Sequence, residues 1–406
     1  MNKWSMHELV LTGLILWMGS YAYLYIYQLT DFKPLYTYCA FLGFAVFFVL
    51  SALGAAKIRG RGTQHLLTWL LAFAIYTSVS WLIASHSAAA TQIFITWMEG
   101  ALILGAFSFL FCNAKKLEQI QVAFVLIAII GVVLNCYDFI LPTFSNVPGR
   151  AAGLYENPNI AGKFIAMSMV AGIGVVPRSI RLWYVLLCGL GVLVTFSRSA
   201  WLLWFIGVFF LGWVGVIGAV RYQKISTILI AILTVTMLGL LFDGKLAQIA
   251  HNSSLAKYLD PNTSARLGIG GGQFEDRSTS MRIELAKEAL AQGAEAPVLG
   301  HGLGFTRERD GWIYSSSTHN MYLLLWAEGG IVGLAVYLWL MILLVYHSNG
   351  VGRVIALQYV FAGFMTHNLL DQPAGLIVLA LVCVLRYPFD RRAIDSSQPL
   401  QAPGRA

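Results

Sequence analysis

The sequence predicts an all-α integral membrane protein, with about twelve transmembrane helices and one long polar loop. Three observations predict it. Hydrophobic residues make up 58% of the 406-residue chain and charged residues only 11%, against about 25% charged in a soluble domain. Apolar runs approaching the ~20 residues needed to cross a bilayer recur along most of the chain. The cations fall as twos and threes between those runs, the pattern of the positive-inside rule.

Twelve runs are candidate spans: 8–28, 34–54, 65–85, 91–112, 118–138, 160–176, 182–197, 200–220, 225–242, 319–346, 354–370 and 374–388. The sixth, seventh and twelfth are the shortest. The first is too long for a signal-peptide core and no small-residue cleavage site follows it, so it is expected to be a retained helix. The chain then divides into nine helices over 1–242, a loop over 243–318, three helices over 319–390 and a tail over 391–406.

Basic residues in the short connections set the orientation. With the N-terminus in the cytoplasm, that side holds Lys3; Lys57, Arg59 and Arg61; Lys115 and Lys116; Arg178 and Arg181; Arg221 and Lys224; Arg353; and Arg386, Arg391 and Arg392. The other side holds little beyond Lys33, Arg150, Lys163 and Arg198. Both termini are therefore expected in the cytoplasm and the long loop outside, which in a bacterium is the periplasmic face of the inner membrane.

Within the loop, Gly268–Gly272 lacks the preceding strand and following helix of a phosphate-cradling loop, and reads as linker. Ser278–Ser280 offers a helix N-cap. Met281–Gln292 then reads as an amphipathic helix near 280–292, with Gly293 as its stop. It carries two apolar sets, Met281, Leu285 and Ala289, and Ile283, Ala286 and Leu290, and suits a membrane surface.

Several functions are disfavoured. The net charge of +8 is dispersed, with no basic groove, so no nucleic-acid partner is expected. The five cysteines, Cys39, Cys112, Cys136, Cys188 and Cys383, lie in or beside apolar runs and read as packing residues. No His-x-x-x-His or Asp-x-Asp spacing occurs, and neither metal nor cofactor is expected.

Ionisable groups at membrane depth are functional candidates. Arg198, in Ser197-Arg-Ser-Ala-Trp201, lies at the outer interface. It reads either as an interface anchor or as a fork for an anionic headgroup, since a guanidinium pairs phosphate bidentately. Arg282 opens the loop helix, as a solvated charge or as part of an anion site. His319 stands where the loop enters the tenth run and titrates near neutral pH, as a general base requires. Asn320 and Tyr322 follow it as candidate sugar contacts, and Trp312 and Tyr314 precede it as stacking or interfacial aromatics. His367, Asn368 and Asp371 end the eleventh run on the same side. Glu99 and Glu328 sit inside apolar runs, where each could pair with a buried cation or hydroxyl. His301 reads as a turn marker.

Four segments together resemble the bacterial O-antigen ligase and polymerase superfamily of membrane glycosyltransferases. They are Gly153-Leu-Tyr-Glu-Asn-Pro-Asn-Ile-Ala161; Thr195-Phe-Ser-Arg-Ser-Ala-Trp-Leu202; Arg282 followed by Pro297-Val-Leu-Gly-His-Gly-Leu-Gly304; and Thr318-His-Asn-Met-Tyr-Leu323 leading to Glu328-Gly-Gly-Ile-Val-Gly333. Each is a permissive pattern, and their order around a long outer loop is more specific. By motif the likeness covers about 150–335.

The resemblance implies transfer of a glycan from undecaprenyl diphosphate to an acceptor at the periplasmic face. The acceptor is the lipid A–core saccharide in ligases, another carrier-linked repeat in polymerases, and a protein serine in a third branch. By position, the two arginines and the histidine essential in ligases fall on Arg198, Arg282 and His319, with Asn159 of the first segment among the substrate contacts. A diphosphate leaves as a stable anion, so no second carboxylic acid is needed. The arginines would stabilise its charge without a metal, and direct displacement by a hydroxyl would invert the anomeric centre. The compact loop favours the ligase branch. A lipid-linked sugar transporter is the reading from another class, but no inverted repeat or paired broken helices are visible.

Overall fold

In the computed structural model the described residues are 6–30, 33–43 without 35 and 39, 61–84, 86–114, 117–217, 277–308 and 318–385. Among these, every regular element is helical. The expected span at 225–242, most of that at 34–54, the glycine-rich 268–272, Trp312, Tyr314 and the tail lie outside the described residues.

The first expected span is broken. α1 (Met6–Gly19) and α2 (Ala22–Leu29) meet at 66°. Tyr21 at the break takes a left-handed φ of 62°, and its ring packs against Tyr155 at 5.1 Å between centroids. Gly19 and Ser20 interrupt the apolar run here by only two residues, too few for hydropathy alone to mark a break.

α3 (Arg61–Ile83), α4 (Ala88–Asn113), α5 (Leu117–Ile140) and α6 (Pro158–Gly172) follow. With α10 (Met321–His347) these make five helices long and apolar enough to cross a membrane, or six if the bent pair is one span. α7 (Arg181–Leu193), α8 (Arg198–Trp213), α11 (Val351–Gly363) and α12 (Pro373–Val384) are shorter. The eleventh expected span thus ends at Gly363, and residues 364–372 form a non-helical connection.

α6 is the least apolar of the five long helices and the most buried. It packs against α5, α7, α8, α11 and α12. A helix enclosed by protein need not match lipid, and its small residues let neighbours approach. A side chain at Gly162 would meet Ala200 and Thr195, and one at Gly172 would meet Val125.

α9 (Arg277–Glu295) is longer than expected at both ends. Gly293 does not stop it; the Trp326 indole lies against that glycine and donates to Leu290 O at 3.2 Å. Only one of the two apolar sets is buried: Leu285 and Ala289, with Met281, pack on Ala327 and Leu323 of α10. Ile283 and Leu290 stay exposed.

α10 carries a break at Gly330, with φ 57° and ψ −153°, a region open essentially to glycine. The loop after α9 fills the gap. Ile331 N donates to Pro297 O at 2.8 Å and Val332 N to Val298 O at 3.2 Å, while His301 N and Gly302 N donate to the carbonyls of Ala327 and Glu328. Irregular backbone at membrane depth needs such protein partners. The buried Glu328 carboxylate completes the clamp, accepting from Gly304 N, Thr306 N and, at 2.6 Å, the Thr306 hydroxyl. Glu328 thus takes the hydroxyl-paired option, and the segments 297–304 and 328–333 form one joint.

Candidate active site

Three helix starts use the same device. Each has a non-glycine residue at positive φ, then an extended capping residue. Glu156 (φ 59°) precedes Asn157, whose side chain accepts from Asn159 N. Phe196 (φ 46°) precedes Ser197, which accepts from Ala200 N. His319 (φ 49°) precedes Asn320, which accepts from Tyr322 N at 2.9 Å and Leu323 N at 3.1 Å. Such backbone costs about 1–3 kcal/mol each and persists where surrounding structure fixes it.

These starts meet at a pocket of about 100 Å³. Its walls come from the cap and first two turns of α6 (Asn157, Asn159 and Lys163), the first two turns of α8 (Ser199 and Leu203), His319, and Arg282 of α9. The far wall is the end of α11 and the connection after it, including His367 and Asn368. Helix N-termini present free N–H groups and a positive dipole end. No carboxylate lines this pocket among the described residues, while one arginine, one lysine and two histidines do. An anion is the ligand such a lining favours.

Arg150 ties two of these starts together. Its Nε donates to Thr195 O at 2.9 Å and its Nη2 to Asn159 Oδ1 at 2.9 Å. Ser197 Oγ donates to the same Asn159 oxygen at 2.8 Å. A guanidinium only donates, so the Asn159 amide is fixed oxygen-in. Its NH2 group is then the end available to a ligand.

Upstream, the buried Asp138 carboxylate accepts from the backbone N–H groups of Thr143, Phe144, Ala152 and Gly153, shaping the loop that carries Arg150.

His319 and His367 meet edge to face, with ring centroids 5.4 Å apart at 77°. Burial, then the charge of Arg282, holds His319 below its ordinary range. Burial and the cationic character of His319, Arg307 and Lys163 push His367 down to about 3. Burial lifts Asp371, in the same connection, to about 6, against the pull of Arg307 and Lys163. A neutral imidazole beside a fixed cation can take a proton from a hydroxyl.

Residues 183–338 match the family model described as O-antigen ligase. Over those residues the chain is similar to the O-antigen ligase family. No curated protein matches the chain. The ligase-family match takes in Arg198, Arg282 and His319, whereas Asn159, Lys163 and His367 lie outside it. Pocket walls from both parts of the chain therefore meet.

Of the residues expected from sequence, Arg282, His319, Asn159, His367 and Asn368 line this pocket, and Asp371 does not. Arg198 is the first residue of α8; it is exposed and outside the lining, next to lining Ser199. Asn320 serves as the α10 cap, and the Tyr322 hydroxyl donates to Val360 O at 2.8 Å. Trp312 and Tyr314 lie outside the described residues. Lys163, Asn157, Ser199 and the positioning Arg150 were not singled out by sequence. Asn159 and Lys163 are four apart, hence on one helix face, and that spacing was the available signal.

Proposed function

We propose that the protein is a membrane glycosyltransferase, specifically an O-antigen ligase. It would transfer a glycan from a polyprenyl diphosphate carrier to the lipid A–core saccharide at the outer face of the inner membrane. The observation that carries this reading is the meeting of Arg282 and His319 in one cation-lined pocket, built on helix starts from the ligase-family segment and from α6.

In the proposed reaction His319 takes the proton of the acceptor hydroxyl as its oxygen bonds the anomeric carbon. The bond from that carbon to the phosphate oxygen breaks, and its electron pair leaves with the diphosphate. Arg282, helped by Arg198 and the helix starts, stabilises the developing charge. The reaction is metal-independent and inverts the anomeric centre.

The test uses the full chain in vesicles, with lipid-linked glycan and lipid A–core. Ligated product of inverted configuration is expected without an energy source. A retained anomer would overturn single displacement, and extension of the carrier-linked glycan instead would make the enzyme a polymerase. Glycan passed to a protein serine would place it in the third branch.

A further inference from the structure

Lys163 sits in the second turn of α6, inside a candidate span, with only 5% of its surface exposed. Its ammonium donates to Gln372 Oε1 at 2.8 Å and lies 5.0 Å from the Phe164 ring centroid. No carboxylate among the described residues forms an ion pair with it. An ammonium has three donors, and one is spent on a neutral amide. The carboxyl whose charge acts on it, Asp371, is not in ion-pair contact and is lifted to about 6 by its own burial, so it neutralises Lys163 incompletely. Buried cations of this kind are paired or serve a ligand.

The ligand side is open. Lys163 lines the same pocket as Arg282, His319 and Asn159. Asn159 and Lys163 share one face of α6, with Lys163 about 6 Å further along the axis. From mouth to floor the pocket therefore offers a guanidinium, an amide NH2 group and an ammonium. One anion with charge at two centres would meet all three.

We infer that Lys163 is a further donor-binding residue, whose ammonium takes a nonbridging oxygen of the carrier diphosphate at the floor of the pocket. Its role rests on the diphosphate-donor reading proposed above. Gln372 aims the ammonium through a neutral contact, whereas a carboxylate at that position would pair with it directly. The compact ammonium acts as a point charge, whereas Arg282 can grip two oxygens at once.

The experiment measures binding to the full chain in phosphatidylcholine vesicles. The probes are a long-chain isoprenyl diphosphate and the neutral isoprenol of the same chain length. Lys163→Gln removes the charge and keeps a polar partner for Gln372. Gln372→Glu leaves Lys163 in place and pairs it internally. Each variant should weaken diphosphate binding about tenfold, the scale of a lost charged hydrogen bond. Binding of the neutral isoprenol should change less than about twofold, because that probe has no charge to lose. Lys163→Arg should retain most of the diphosphate affinity.

Wild-type diphosphate affinity in either folded neutralising variant would overturn the assignment, as would equal loss for both probes, which marks a packing role. Should Lys163→Gln not fold, Gln372→Glu alone decides. A wild-type chain that binds no diphosphate would instead remove the donor reading, and this inference with it.

Discussion

The imidazole of His319 meets that of His367 edge to face, 5.4 Å between ring centroids, with Arg282 lining the same pocket. Two titratable rings in one cation-rich pocket compete for one proton. Burial and Arg282 keep His319 below the ordinary histidine value. As the proposed base it must be neutral, so activity should rise with pH through its folded value and level off beyond it. The acid limb of kcat/KM should therefore have its midpoint below about 6.5. Removing the Arg282 charge in Arg282→Gln should move the residual limb towards alkaline pH. A limb at the ordinary value in both proteins would detach His319 from Arg282.

His367 predicts a stability trend. Its folded value, about 3, lies below the unfolded one. Between those values the unfolded chain binds the extra proton, so the His367 contribution is present above about 6.5 and is lost as pH falls. Asp371, raised to about 6, acts oppositely: its folded form holds the extra proton between its ordinary value and that one. The two slopes oppose each other over about pH 4–6. His367→Asn removes the destabilising one. Its melting temperature in detergent should fall less on acidification, or rise, with a difference of at most about 1.4 kcal/mol per pH unit from wild type. Parallel melting curves for variant and wild type across that range would contradict it.

The Glu328–Thr306 bond at 2.6 Å holds the loop that follows α9 against the broken part of α10. Thr306→Val should cost about 1–3 kcal/mol, because a buried carboxylate loses a donor. Gly330→Ala should cost about 1–3 kcal/mol by forcing a side chain into backbone space reserved for glycine. Gly13→Ala, with no atom near its added methyl, is the control. Loss of the clamp should also raise the donor KM, since α9 carries Arg282. Thermal melting together with KM separates this from simple loss of fold.

Arg282 lines the pocket and Arg198 does not, so their substitutions should differ. Arg282→Ala should lower kcat/KM by about 10²–10³, the scale of a removed charge-stabilising donor. Arg282→Lys should recover only part, because the bidentate fork is gone. Arg198→Ala, at the exposed start of α8, should lower it by a smaller factor. Equal losses would place Arg198 on the reacting diphosphate beside Arg282.

Much of this was legible in the sequence for a physical reason. Span-length hydropathy finds α3, α4, α5 and α10 because each must satisfy lipid along one flank. The same logic underrates α6, whose surroundings are protein, and misses the bend at Tyr21, where only the pair Gly19-Ser20 interrupts the apolar run. His319 stood out as a titratable group where the loop enters an apolar run, while Arg282, in the polar loop, was marked only by the family resemblance. Lys163 was counted only as a charge on the outer side, although its four-residue spacing from Asn159 shared a helix face. The structural tasks of Asn320 and Tyr322 depend on caps and on the Val360 carbonyl, which sequence spacing does not show.

Arg150 carries the last prediction. It touches no reacting group, yet it joins Thr195, at the approach to α8, to Asn159 of α6. Arg150→Met keeps the apolar length and deletes both bonds. The Thr195 carbonyl and Asn159 Oδ1 each lose a charged donor, and Asn159 can then rotate its amide. Stability should fall by about 2–4 kcal/mol if both bonds contribute as buried charged hydrogen bonds do. The kinetic signature should be a raised donor KM with an acid limb unchanged, because His319 keeps its neighbours. A double-mutant cycle with Asn159→Ala isolates the pair. Coupling of about 1 kcal/mol or more is expected for groups in direct contact, and additivity would show that Arg150 acts on Thr195 alone.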